Sequence, residues 1–158
     1  MKYRRLNIEE LKELKTAFIR FLAANGISGD EWEKIKESDL KRTDELLDVF
    51  SDTAIHETLT KIEYLQIIQP KEIKTFHCLA EQIKLIGLIV DGENNIDFTK
   101  MESPQMMAQQ IAASSAQLKM YSAEKAYQPE REMELFIMME GGCKITDGEI
   151  YSLLEQLG

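Results

Sequence analysis

The hydrophobic period of this chain changes once, near residue 60, and that change limits it to folds that mix helices with a sheet. Before it, apolar residues recur at helical spacing: Ile8, Leu11, Leu14, Phe18, Phe21 and Leu22, then Leu46, Leu47, Phe50 and Ala54. One face of a helix collects such positions. After it come three short runs rich in β-branched and aromatic residues, 62–68, 73–79 and 83–90, with the length and composition of strands. The third is apolar on both faces, which predicts a central strand covered on two sides. Asp91-Gly92 is a hairpin signal, and residues 96–99 are the return strand it implies. The expectation is an α+β fold: a small antiparallel sheet of three to four strands packed with helices.

Local punctuation supports that division. A helix-start pattern occurs three times: Asn7 with Glu10, Ser28 with Glu31, and Thr146 with Glu149. In each, the cap side chain can accept an orphan amide while the glutamate reaches back to the cap. Apolar pairs bracket the caps as staples: Leu6 and Leu11, Ile27 and Trp32, Ile145 and Ile150. The predicted helices cover 8–25, stopped by Gly26, then 29–37 and about 40–59. Ser103-Pro104 opens another to about 113, where Ser114-Ser115 weakens it. Residues 117–122 fit either helix or strand. Pro129 breaks the chain before a helix over 130–140 that ends at Gly141-Gly142, and Thr146 caps the last one. At 158 residues this is one expected domain: N-terminal helices over about 8–60, sheet over 62–99, and a mainly helical region over 103–158.

Charge narrows the function classes. The net charge is −9, and residues 91–158 hold 5 basic against 12 acidic side chains. Nucleic acids and anionic membranes are bound through dense Lys/Arg contacts, so neither is expected as a partner. No apolar run approaches the roughly 18 residues of a membrane span, and no secretory leader follows Met1. Two separated cysteines, Cys78 and Cys143, read as reduced thiols rather than a disulfide framework. Together these predict a cytoplasmic protein.

Several landmarks resemble a known family: residues 1–6 (Met-Lys-Tyr-Arg-Arg-Leu), 18–23 (Phe-Ile-Arg-Phe-Leu-Ala), Phe50-Ser51-Asp52, 61–65 (Lys-Ile-Glu-Tyr-Leu) and 145–151 (Ile-Thr-Asp-Gly-Glu-Ile-Tyr). The chain is similar to a family of small uncharacterised bacterial proteins, a domain of unknown function. The resemblance spans nearly the whole chain, 93–115 matching least. It implies one intact domain and a cytoplasmic bacterial origin; no activity, cofactor or site residue comes with it.

The constellation best suited to chemistry is Asp44, Asp48, Asp52 and His56, four residues apart on the third helix. That spacing stacks side chains on one face, and carboxylates beside an imidazole suit a divalent metal or a shared proton. Asp48, Asp52 and His56 are therefore the metal candidates. The row lies opposite the apolar stripe, so it is expected to face water. Residues 91–102 place Asp91, Glu93, Asn95 and Glu102 at calcium-loop positions, but Ile96 stands where the sharp turn needs glycine, which favours a plain turn. His77-Cys78 has neither metal nor nucleophile spacing, and Cys78 reads as core. No nucleophile elbow, phosphate loop or dinucleotide fingerprint is present, and no cofactor is implied.

Surface composition points elsewhere. Seven of the eight methionines lie between 101 and 139, and methionine-rich surfaces adapt to partners. Residues 135–139 are apolar all round their helix. Met133, Leu135, Phe136, Met138 and Met139 are the candidate partner interface. The expected function is a non-catalytic protein-interaction or adaptor domain, with a protein partner or a second copy. The alternative is a small-molecule enzyme or divalent-metal protein using Asp48, Asp52 and His56. A helix-turn-helix reading of 130–157 conflicts with its acidity.

Overall fold

Asn7 begins the first helix as expected. Its side chain accepts from the Glu10 amide at 2.9 Å, and Glu10 accepts from the Asn7 amide at 2.9 Å. The helix is broken, however. The computed structural model, which describes residues 1–92, 94–113 and 117–158, has α1 over Ile8–Glu13 and α2 over Lys15–Ala24. Leu14 sits between them in a non-helical conformation. Gly26, at φ 72°, then stops α2. The Ile27 amide donates to the Leu22 carbonyl and the Gly26 amide to that of Ala23, the pair of bonds that satisfies the last carbonyls of a helix. Ser28 caps α3 (Gly29–Ser38) by accepting from the Glu31 amide. The long α4 spans Leu40–Thr60.

These helices make one compact unit, Met1–Thr60. Its core is aromatic. The Phe18 ring lies 5.1 Å from Trp32, edge on, and 5.0 Å from Phe50; Phe21 is 5.4 Å from Phe50. Tilted and edge-to-face contacts at these separations favour the ring quadrupoles as well as burial. The α4 stripe thus packs as its spacing predicts, with Phe50 buried at its centre.

The second unit is Lys61–Gly158. Strands β1 (Tyr64–Ile68), β2 (Glu72–Cys78) and β3 (Gln82–Asp91) form where the β-branched runs predict them. The return strand over 96–99 does not form. Phe98 instead turns into the core, fully buried, at a short 3-10 turn over Phe98–Lys100. The fourth strand is β4, Gln117–Ala126, which settles the ambiguity of 117–122 as strand. A fifth, β5 over Lys144–Thr146, pairs with β1. The sheet is antiparallel, in the order β4-β3-β2-β1-β5. Among the described residues it therefore has five strands, not three to four.

Two helices cover one face. Helix α5 (Pro104–Ala113) is capped by Ser103, which accepts from the Met106 amide; the Ser114-Ser115 signal lies outside the described residues. Helix α7 (Glu149–Leu157) starts at Gly148, not at Thr146, whose backbone is already committed to β5. Met107, Ile150 and Leu154 from these helices pack with Ile73, Leu88, Val90, Ile96 and Phe98. The register puts Leu65, Cys78 and Ile83 on the opposite face, and all three are buried. Helix α6 (Arg131–Glu140) is joined to that side: Lys125, paired with Ile83 across the strands, reaches Glu134 at 2.6 Å.

Candidate functional site

The acid row of α4 is partly covered: Asp44 and His56 are exposed, as expected, while Asp48 and Asp52 are half-buried. Residues Met1–Leu6 run along it. Asp52 accepts two successive amides, Lys2 at 2.6 Å and Tyr3 at 2.9 Å, one on each carboxylate oxygen. The Tyr3 hydroxyl is 2.8 Å from His56 Nδ1. Arg5 donates to Asp48 at 2.7 Å and to Asp44 at 3.2 Å. Hydrogen bonding to Asp48 is the main reason its guanidinium holds its proton even more firmly than usual. Between these, the Leu6 amide donates to the Ser51 hydroxyl at 3.0 Å, and Ser51 is fully buried. Asp44, Asp48, Asp52 and His56 thus share a face, as their spacing predicts, and that face serves as a rail for a chain segment. Each of the four makes a hydrogen bond to the segment. Among the described residues, no group of three or more His, Cys, Asp or Glu side chains is placed to hold a metal.

Residues 91–102 show why a calcium loop is not formed there. The Lys71 ammonium reaches into the bend and donates to the Ile96 carbonyl, the Asn94 carbonyl and the Asn94 side chain. A cation is already supplied covalently, by β2's preceding turn, to the oxygens that converge. Asp97 caps the 3-10 turn by accepting from the Thr99 amide. Glu93, the third position of the calcium pattern, lies outside the described residues.

His77 stands in an aromatic stack, not in a catalytic set. Its ring lies 4.5 Å from that of Tyr64, nearly parallel, and 5.5 Å from Tyr151. Cys78 points to the opposite face and is buried. Burial pushes its thiol up to about 12, and the nearby Arg131 charge does not offset this. Burial also raises Cys143. Thiolates do the nucleophilic work, so neither cysteine is an activated nucleophile. In a labelling experiment near pH 8, where an ordinary thiol of pKa about 8.5 is substantially ionised, a thiol reagent modifies Cys78 only after denaturant is added, and the half-buried Cys143 reacts first. Rapid labelling of Cys78 in the folded protein would contradict this.

The proposed contact helix is anchored by charges that spacing did not flag. The Arg131 guanidinium donates to the carbonyls of Leu79, Cys78 and Ile62. Its side chain is 14% exposed. Glu134, also buried, accepts from the Gln128 amide at 2.7 Å besides pairing with Lys125. Leu135 is fully buried, so it belongs to the core and cannot line a contact surface. The reason is rotational: Arg131, Glu134, Leu135 and Met138 fall on one side of α6, toward its anchors. Met133, Phe136, Ile137 and Glu140 fall on the other. Ile137, absent from the expected interface set, is 56% exposed; Met133, Phe136, Met138 and Met139 are half-buried.

Over residues 1–158 the chain matches the family described as "Family of unknown function (DUF6495)". No curated protein and no solved structure matches it. Among the described residues, no helix is long and apolar enough to cross a membrane.

Proposed function

We infer that this chain, which belongs to the family of unknown function DUF6495, works as a non-catalytic protein-interaction module in the cytoplasm. The observation that supports this reading is α6: exposed Ile137, with half-buried Met133 beside it, on a helix pinned by Arg131 and Glu134. Apolar side chains on a rigid element make a contact surface at little ordering cost. The surrounding charge selects the partner. The patch lies within the acidic half of the chain, residues 91–158. The occupant proposed is therefore a protein with an apolar patch rimmed by Lys and Arg, since opposite rims steer association and suppress like-charged surfaces. A second acidic copy is the less favoured occupant. A site for a divalent metal or small substrate on Asp48, Asp52 and His56 is the other reading, and it competes with the hydrogen bonds these residues make to residues 2–5.

Affinity capture with wild type and Ile137→Asp tests this. The expected result is a stoichiometric partner with a basic-rimmed apolar patch, bound more weakly at high salt. Ile137→Asp should weaken it by about 2–3 kcal/mol, the scale of a central contact residue, at unchanged melting temperature. Undiminished binding by Ile137→Asp would remove α6 as the surface. Self-association lost in that variant would replace the heterologous partner by a second copy.

A further inference from the structure

The sheet ends on one side in β4, and that edge is long, unbroken and uncovered. β4 pairs with β3 residue for residue over Gln117–Ala126, without a bulge, and holds neither proline nor glycine. The direction of its backbone groups follows from the strands further in. The Val90 amide donates to the Lys71 carbonyl, and the Leu79 amide to the Gln82 carbonyl. Even-numbered residues of β3 therefore turn their backbone groups to β2, and odd-numbered ones turn theirs to β4, since the two directions alternate along an antiparallel strand. Gly87 lies opposite Tyr121 and Ile89 opposite Lys119, so the odd residues of β4 bond to β3. The amides and carbonyls of Leu118, Met120, Ser122, Glu124 and Ala126 point outward. Among the described residues nothing pairs with that side, and Ser122 to Ala126 are exposed. The opposite edge, β5, is only three residues long.

From this arrangement we propose that β4 is a dimerisation edge, on which a second copy of this chain lays its own β4 antiparallel. A row of unpaired amides and carbonyls is a template for another strand. The occupant must be extended and unbulged over the length of the row. β4 of a second copy is already held so by its own β3, whereas an unstructured peptide must give up backbone freedom at every residue. A two-fold axis then satisfies each row with the other. Charge permits this at β4, although the chain as a whole is acidic: the strand carries Lys119 and Lys125 against Glu124. Lysines discourage edge pairing, but Lys125 is turned back to Glu134 at 2.6 Å. Register deals with Lys119. With Tyr121 opposite Tyr121 of the second copy, Lys119 faces Ala123 and Gln117 faces Lys125, so no like charges are opposed. The outward residues then meet each other, Leu118 with Glu124 and Met120 with Ser122. Centring the pair on Ser122 would set Lys119 against Lys125, which is unfavourable.

Sedimentation of the full chain over a dilution series tests the proposal, with wild type, Ser122→Pro and Ile137→Asp. Wild type is expected at twice the 18.2 kDa chain mass, falling to one chain on dilution. Proline at 122 removes an outward amide and leaves the β3 ladder intact. It should raise the dimer dissociation constant about ten- to a hundredfold, the scale of two symmetry-related hydrogen bonds. Ile137→Asp should leave the dimer unchanged, because α6 takes no part in the pairing. Amide hydrogen exchange on wild type gives a readout that needs no variant, should Ser122→Pro fold poorly. The amides of Leu118, Met120, Ser122 and Glu124 should be slow in the dimer and fast on dilution, while those of Lys119, Tyr121 and Ala123 stay slow throughout. A wild type that sediments as one chain at every concentration would overturn the proposal. So would a dimer in which the even-numbered amides exchange fast, or one lost in Ile137→Asp, since either places the contact elsewhere.

Discussion

Replacing Arg131 by Met lowers the unfolding free energy of this protein by about 3–5 kcal/mol, the range for removing one partner of a buried charge-assisted set. The stem of methionine fills much of the same path, so the loss is one of hydrogen bonds. The guanidinium gathers three carbonyls, those of Ile62, Cys78 and Leu79, from the chain entering β1 and the end of β2. The Tyr127 hydroxyl also donates to Leu79, at 2.7 Å, so that carbonyl keeps one partner and those of Ile62 and Cys78 carry most of the cost. Arg131→Lys should recover less than half of the loss, because a point charge cannot reproduce the planar fork. Urea unfolding followed by circular dichroism measures both. A Met variant within about 1 kcal/mol of wild type would show that water replaces the guanidinium and that α6 is anchored by packing alone.

Gly148→Ala has the second large effect, for two reasons that a control separates. The residue sits at φ 84°, where an L side chain costs about 1–2 kcal/mol. A methyl there would also stand 2.6 Å from Cδ2 of Tyr64. That ring has little room to retreat. It is stacked on His77 at 4.5 Å and packed at 5.6 Å against Tyr151, which is buried on α7. Overpacking of this kind adds about 1–3 kcal/mol, so the total is about 2–5 kcal/mol. Gly26 has a similar φ, 72°, but nothing within 4 Å of an added methyl; Gly26→Ala should cost the strain alone. In the background Tyr64→Ala the penalty at Gly148 should fall to that of Gly26. Equal penalties at the two glycines in the wild-type background would mean that the aromatic stack yields.

The contrast between these glycines shows what a local signal contains. Gly26 follows a run of helical spacing and precedes an apolar residue, and that pattern alone predicts its left-handed turn. The steric part of the requirement at Gly148 arises from Tyr64, which lies far along the chain, in the strand β1 that pairs with β5. The same pairing defeats the Thr146 cap. The sequence pattern there matches those at Asn7 and Ser28, yet the Thr146 backbone is taken up by hydrogen bonding in the sheet. A helix cap offers about 1 kcal/mol, which a strand ladder with its buried neighbours outweighs.

The candidate site divides in the same way. The shared face of Asp44, Asp48, Asp52 and His56 follows from helical spacing. Its cover of residues 1–6 comes from a segment some fifty positions away, and no periodicity reports that. Likewise the 130–140 helix was legible from its apolar content and its closing glycines. Which of its sides is buried depended on Arg131 and Glu134, charged residues that composition alone assigns to solvent.

By itself the sequence determined the helix starts at Asn7, Ser28 and Ser103, the stops at Gly26 and Gly141, the three central strands, and an α+β class, because those signals act within a turn or along one strand. Tertiary structure alone decided the break at Leu14, the identity of the fourth and fifth strands, the cation in the 91–98 bend and the cover over the acid row. Each of these depends on which distant groups meet. Pairing in space is settled by the competition of whole elements for buried surface and hydrogen-bond partners, and no short window of sequence contains that competition.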